Sequence, residues 1–498
     1  MSLAMIIILI VAVVIVSHLS FKVWYRRGVN SLHPVPFLGN LTGVFVNGET
    51  VFESMEYFYK SLKGEGKHFG TYYLFAYPTF VPIHLELIKR MLITDFEYFT
   101  DHIAHLDEKN DPITMNIFSL KGERWRSLRE QLSPAFTPSR MRLVFENSAE
   151  CARNLSNLIE GKGTIAIQDV CERYTIDFII SCCFGIESKL LQNEDSRFRK
   201  HAGELLCAGS WRSVLFMLSL ILPQFFTIFK TRVFSKESTE FWVNVVKETA
   251  KQREGNGGAR KDVMQTLLQV AKDDAITDGS QRTSGGVTLL SFPDIAAQCF
   301  LILLAGFEGP ATGISFTLIE LALNQEYQDN ARNEINSVLA THDGEVSYDA
   351  IADMKYLENC VLETLRKFPP LSVNTRLCTK DYHIPETDVV IRKGTAVVIP
   401  VYAVHRDPEY HRDPDKYDPS RFNEDSRRPL TTFMPFGGGP RTCIGEKLGI
   451  LMAKLALTVL LRSFRFHVHP DTQPPFRFEP TSLIPKCKIP VKLIVERI

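Results

Sequence analysis

Ten cysteines are spread along the 498-residue chain, and one of them differs from the rest. Cys443 lies in Phe436-Gly-Gly-Gly-Pro-Arg-Thr-Cys-Ile-Gly445, a glycine-rich loop feeding an apolar helical run from Leu448 to Leu461. A thiol at a helix N-terminus beside Arg441 is expected to have its thiolate form stabilised by the helix dipole and by positive charge. Gly437, Gly438 and Gly439 let the backbone approach a flat ligand, and Gly445 leaves room beside the sulfur. Three kinds of chemistry suit such a thiolate: nucleophilic attack, zinc ligation and axial ligation of a haem iron. Zinc wants further Cys or His at ligand spacing, and none is near. A nucleophile wants a paired His, which spacing does not locate. A structural cysteine after a glycine loop is the plain alternative.

The ten residues match F-x-x-G-x-R-x-C-x-G, so the segment resembles the haem-binding loop of the cytochrome P450 haem-thiolate monooxygenases. Other landmarks of that family follow in order. Glu363-Thr-Leu-Arg366 resembles its E-x-x-R pair, whose side chains share a helix face at i, i+3. Pro419-Ser-Arg-Phe422 resembles the segment whose arginine, here Arg421, completes that network. Trp125-Arg-Ser-Leu-Arg129 is similar to W-x-x-x-R, and Arg376 follows Pro369-Pro370 where the family places a further arginine. The runs Pro34 to Asn40 and Phe118 to Trp125 look most like microsomal insect enzymes of family 6.

The resemblance implies haem b, with Cys443 as its axial metal ligand. It implies that Trp125, Arg129, Arg376 and Arg441 hold the haem carboxylates, since buried carboxylates need paired cations. Phe436, Gly439 and Gly445 would shape the loop, and Ala305 and Gly306 would line the other haem face. That face is implied to carry A-G-x-[DE]-T. Here the segment reads Ala305-Gly-Phe-Glu-Gly-Pro-Ala-Thr312, so Glu308 keeps the acid but Gly309 replaces the threonine. Gly306 is expected to allow a local bulge, and Pro310 to kink the helix or free a carbonyl. Thr312, roughly one turn on, is the expected surrogate catalytic hydroxyl beside Glu308. His102 stands where relatives carry arginine near a haem carboxylate; it is shorter and only partly charged.

Electrons are implied to come from outside the chain. Gly64 and Gly66 are followed by Phe69, so no dinucleotide fingerprint exists there. NADPH and flavins would enter only through a separate NADPH-cytochrome reductase, with cytochrome b5 as a further implied partner. Arg124, Arg126, Lys447 and Lys454 are candidates for the docking face, plain solvated charges being the alternative. The implied reaction is oxygenation of a lipophilic small molecule. A haem-thiolate isomerase or dehydratase of hydroperoxides, needing no NADPH, gains from the missing threonine; a non-catalytic haem-binding protein is a third reading.

The elements that must position these residues read as mainly α with a minor antiparallel β part. Helical patterns cover Thr137 to Leu158, Ile167 to Phe184, Ser235 to Gln252 and Ser291 to Leu323, the last opening on a capping box with proline in the first turn. It would be about 48 Å long at 1.5 Å per residue. Strand-like runs are Tyr72 to His84, Val389 to Pro400 and Pro490 to Ile498. Substrate contacts are implied near Ile113 to Leu120, Phe300 to Phe307, Leu371 to Thr375 and Thr481 to Ile484. Polar, glycine-rich loops are expected at 254–261 and 278–286.

Residues 1–21 carry no Asp, Glu, Lys or Arg and read as a membrane anchor. Lys22, Arg26 and Arg27 behind them orient the body to the cytosol, on the endoplasmic reticulum membrane. Residues 22–40 form a basic, proline-rich linker, and 41–498 the catalytic domain. The 57 Lys+Arg balance 57 Asp+Glu, which argues against nucleic acid as a partner.

Overall fold

The computed structural model describes residues 28–186, 223–255, 262–269, 291–423, 430–480 and 484–498 continuously, with scattered positions between them. Most of the expected anchor 1–21, residues 256–261 of the expected loop 254–261, and the expected loop 278–286 lie outside the described residues; Glu254 and Gly255 instead end a helix, Lys236–Gly255. The elements that bear on the site are β1 (Phe69–Leu74), β2 (Tyr77–Pro82), α1 (Gly122–Leu132), α2 (Ile167–Phe178), α3 (Phe292–Leu323), α4 (Lys355–Lys367), β3 (Asn374–Leu377), β4 (Ala396–Ile399), α5 (Val401–His405) and α6 (Glu446–Ser463).

α3 runs through the larger apolar core. The expected capping box is present: the Asp294 N–H donates to Ser291 Oγ, and the Ser291 N–H donates to Asp294 Oδ2 at 2.9 Å. Pro310 lies inside α3, yet the helix continues across it as one 32-residue element with neither break nor bulge. It is the one described helix long and apolar enough to cross a membrane, but it is mostly buried and serves as a core helix.

Two expected helices are cut shorter by local competition. The run from Thr137 breaks at Asn147-Ser148 into Pro138–Glu146 and Ala149–Ile159, where the buried Ser148 hydroxyl donates to the Phe145 carbonyl at 2.6 Å. The run from Ile167 ends at Phe178 and passes into a π-helical turn, Ile179–Cys183.

The β part is small, and it is mixed rather than purely antiparallel. Tyr72 to His84 is not one strand but the hairpin β1–β2, turned at Phe75 with φ +56°. The four-stranded sheet has the order β1-β2-β4-β3, and β2 pairs with β4 in parallel. Val389 to Pro400 divides into Val390–Ile391 and β4, while Lys492–Arg497 forms a strand as expected. A second, smaller core packs around this sheet. Residues 30–40 are fastened to it: Asn40 accepts the Tyr73 N–H at 2.8 Å and donates to the Leu32 carbonyl at 3.0 Å.

Candidate active site

The loop before α6 is built from tight turns. The Gly437 N–H donates to the Met434 carbonyl, the Thr442 N–H to the Gly439 carbonyl, and the Cys443 N–H to the Phe436 carbonyl at 2.9 Å. Two glycines are required by their surroundings. Gly439 has φ +69°, and a Cβ there would lie 1.8 Å from the Leu92 carbonyl oxygen. Gly437 has φ +79° and would press on Asn374. The close approach they permit is therefore to the protein's own chain, the Leu92 backbone and the Asn374 side chain. Gly445 caps α6; a Cβ there would sit 4.0 Å from Cys443 Sγ, so the sulfur alone does not demand glycine.

A buried histidine, unforeseen from the sequence, anchors this loop. His405, at the end of α5, accepts the Met434 N–H on Nε2 at 2.8 Å and donates from Nδ1 to the Arg366 carbonyl at 3.2 Å. Accepting on Nε2 requires the neutral ring, and burial with His411 and Arg366 nearby holds its pKa well below the ordinary value. His405 thus ties the loop to α4. There Arg366 grips Glu363 through Nε at 2.7 Å and Nη2 at 2.9 Å, both residues having no exposed surface. Arg421 joins from 3.2 Å, and the Asp418 N–H donates to the same carboxylate.

Cys443 is exposed, whereas the other eight described cysteines are buried. Its thiol is nevertheless pushed above the ordinary value: desolvation outweighs the Gly445 N–H and the positive charge of Arg129, and Glu446 adds to the rise. The cation that reaches the sulfur is Arg129, not Arg441. Arg441 instead donates to the carbonyls of Thr100, Ile117 and Leu120 and lies 3.8 Å from the Trp125 ring centroid. It braces the segment before α1, and burial pushes its pKa down to about 9.

The other arginines lack counter-charges. Arg376 is fully buried; its donors meet Asn374, the Thr375 carbonyl and, at 3.4 Å each, the Gly438 carbonyl and the neutral His102 ring, and its Nε has no partner among the described residues. Burial alone pushes it down to about 10. Arg129 makes no hydrogen bond or ion pair with its side chain among the described residues. His102 is a poor substitute for a cation. Its Nδ1 donates to the Thr375 carbonyl at 2.9 Å, and burial with Arg376 and Arg441 keeps it neutral.

α3 carries an accessible stripe within its buried length. Residues 295–300 and 311–322 are buried, yet Ala305 is exposed and Leu301 and Gly309, one turn either side, are partly so. α3 packs directly on α6, the helix that the exposed Cys443 precedes. Gly306 faces a different neighbour: a Cβ would lie 2.6 Å from the Ile179 side chain, so this glycine seats α3 on the π-helical turn rather than opening a bulge. Glu308 is buried, and desolvation raises its carboxyl to about 8 despite Lys486 nearby. Thr312 is buried, and its hydroxyl makes no hydrogen bond among the described residues.

A flat apolar group with two carboxylates and an iron fits these features. The orphaned Arg376 Nε and the unpaired Arg129 ask for anions, and the accessible thiol and the α3 stripe supply a ligand and a wall.

Residues 30–493 match the family model "Cytochrome P450". The chain belongs to the cytochrome P450 family. It is 34% identical over 493 residues to a protein named "Probable cytochrome P450 6a14" from Drosophila melanogaster, covering 96% of each chain. It is 35% identical to "Probable cytochrome P450 6a13" of the same fly, covering 96% of this chain and 94% of the relative. "Cytochrome P450 6l1" of Blattella germanica is 33% identical over 94% of this chain and 91% of its own. As a member of this family the protein is a haem-dependent monooxygenase. Of the residues that resemblance pointed to, Cys443, Phe436, Gly439, Gly445, Trp125 and Arg441 gather on or beside one loop, and Arg376 and Arg129 stand unpaired near it. Ala305 lies on the accessible α3 stripe. Lys454 is withdrawn from the docking surface, being buried and paired with Glu358 at 2.9 Å. Arg124, Arg126 and Lys447 stay exposed.

Proposed function

We propose that this P450 inserts one oxygen atom from O2 into lipophilic small molecules, with Cys443 as the residue that would hold the haem iron and electrons drawn from a separate NADPH-dependent flavoprotein reductase. The observation that carries the reading is the accessible Cys443 on the loop whose Gly438 meets the buried, counter-ion-free Arg376. When bound, the haem supplies oxygen activation, which a thiolate ligand favours by donating electron density.

The chain's own residues do the rest. Arg376 and Arg129 would pair with the two haem carboxylates, their attraction offsetting part of the desolvation cost of burying them. Leu301 and Ala305 present an apolar wall that excludes stray water and selects uncharged substrates. Glu308, protonated at neutral pH, holds a proton ready within α3. Pro310 has no N–H to offer the Gly306 carbonyl four residues back, leaving that oxygen as an acceptor for water. Thr312 adds an unengaged hydroxyl one turn from Gly309.

The span 1–21 anchors the enzyme in the endoplasmic reticulum membrane with the body in the cytosol. Phe21 and Trp24, just at its end, touch the body at Tyr73 and Phe80. Protease added to sealed microsomes should digest the body, and protection would reverse the orientation.

The function is tested by reconstituting the protein with reductase and NADPH and following a panel of plant toxins, insecticides, steroids and fatty acids. The expected result is NADPH-dependent product carrying one atom from labelled O2. Conversion of a lipid hydroperoxide without NADPH would identify an isomerase instead, and haem retained without either reaction a binding protein.

A further inference from the structure

Glu308 is sealed inside the core, so a group that gives up a proton there must also recover one. Three charged side chains from separate elements meet at this point. Lys486, in the C-terminal segment, places Nζ 3.9 Å from Glu308 Oε1 and 3.4 Å from Glu172 Oε1 on α2. The exposure of their side chains is graded: 6% for Glu308, 18% for Glu172 and 31% for Lys486. The charges that act on Glu308 are these two, Lys486 favouring its carboxylate and Glu172 opposing it. Asp169 and Arg173, also on α2, pair with each other at 2.9 Å, and the neighbouring Cys487 is a buried thiol pushed up to about 12.

Resting on the monooxygenase reading above, we propose that Lys486 and Glu172 are positioning residues that carry a proton from solvent to Glu308 and so keep the oxygenase supplied. Each turn of the relay balances. Glu308 releases its proton toward the accessible stripe of α3 and becomes a carboxylate. The Lys486 ammonium gives one N–H proton to Glu308 Oε1 and becomes an amine. Glu172, protonated from solvent, restores the ammonium and is left as a carboxylate. The long, flexible lysine stem spans the 3.9 Å gap, and its three rotatable donors serve both carboxyls. The ammonium also steadies the transient Glu308 charge, which the dry core would otherwise reject.

The test measures coupling, product formed per NADPH, against pH in wild type, Lys486→Met, Lys486→Arg, Glu172→Gln and Glu308→Gln. Lys486→Met should lower coupled turnover about tenfold, within the range of general acid catalysis. It should also move the alkaline limb of the profile to higher pH, because removing the cation raises the Glu308 pKa. Lys486→Arg should return that midpoint toward wild type, and Glu172→Gln should lower turnover less than Lys486→Met. Lys486→Met combined with Glu308→Gln should be no worse than Glu308→Gln alone. Additive losses with an unmoved pH midpoint would overturn the relay. If instead wild type shows no NADPH-dependent oxygenation, it is the monooxygenase reading that fails. Haem content of each variant, read from the carbon monoxide spectrum, separates either result from misfolding.

Discussion

Gly439 and Gly309 are both glycines of the site, and the physical demands on them are opposite. At Gly439 a methyl group would meet the Leu92 carbonyl at 1.8 Å, on a backbone with φ +69°. Gly439→Ala should cost about 2 kcal/mol or more, seen as a lower thermal midpoint and reduced haem uptake. At Gly309 the added carbon would meet Pro370 Cβ at 3.7 Å, an ordinary contact, so a side chain is tolerated there. In the proposed mechanism the lack of a hydroxyl at Gly309 leaves proton delivery to Glu308 and Thr312, and part of the NADPH consumed should then appear as hydrogen peroxide. Gly309→Thr should raise coupling, and Thr312→Ala should lower it. Coupling already near complete in wild type and unchanged in Thr312→Ala would remove Thr312 from the mechanism. The residue types at these positions were legible in the sequence because chemistry fixes them locally. Their contacts were not: Arg441 bonds the carbonyl of Leu120, 321 residues away, and no local pattern announces such a partner.

At the scale of elements, α4, α5 and the cysteine loop form one clamp. Glu363 and Arg366 sit on one face of α4, Arg421 closes their network, and His405 links α4 to Met434. Glu363→Ala would strand a fully buried guanidinium, costing about 3–5 kcal/mol. Little haem-loaded protein should be recovered; normal haem content with reduced turnover would contradict this structural role. The clamp is also sensitive to acid. His405 is neutral in the fold and its pKa is depressed, so its contribution is full above the ordinary histidine value of about 6.5. It is lost as pH falls, by up to about 1.4 kcal/mol per unit while only the unfolded chain takes the proton. The thermal midpoint should therefore drop between pH 7 and pH 5, and His405→Gln should flatten that dependence. Identical slopes would show that His405 does not carry it. The ion pair was readable from i, i+3 spacing on a helix, whereas His405 sits in an apolar run whose tertiary partners the sequence conceals.

The whole molecule is a helical body around one long core helix, with a small mixed sheet to the side. Periodicity foretold the long helices, but it missed the break at Ser148 and the hairpin turn at Phe75, where single residues decide the path. The parallel β2–β4 pair joins segments some 300 residues apart in sequence, beyond the reach of any local rule. All of this scaffolding holds one accessible sulfur at the start of α6, and the central claim is that this sulfur binds iron. The most direct measurement is the spectrum of the reduced, haem-loaded protein under carbon monoxide, in wild type and Cys443→Ala. A strongly red-shifted Soret band in wild type, absent from the variant, is the predicted result. A blue-shifted band from freshly prepared wild type, or a red-shifted band that survives in Cys443→Ala, would contradict it.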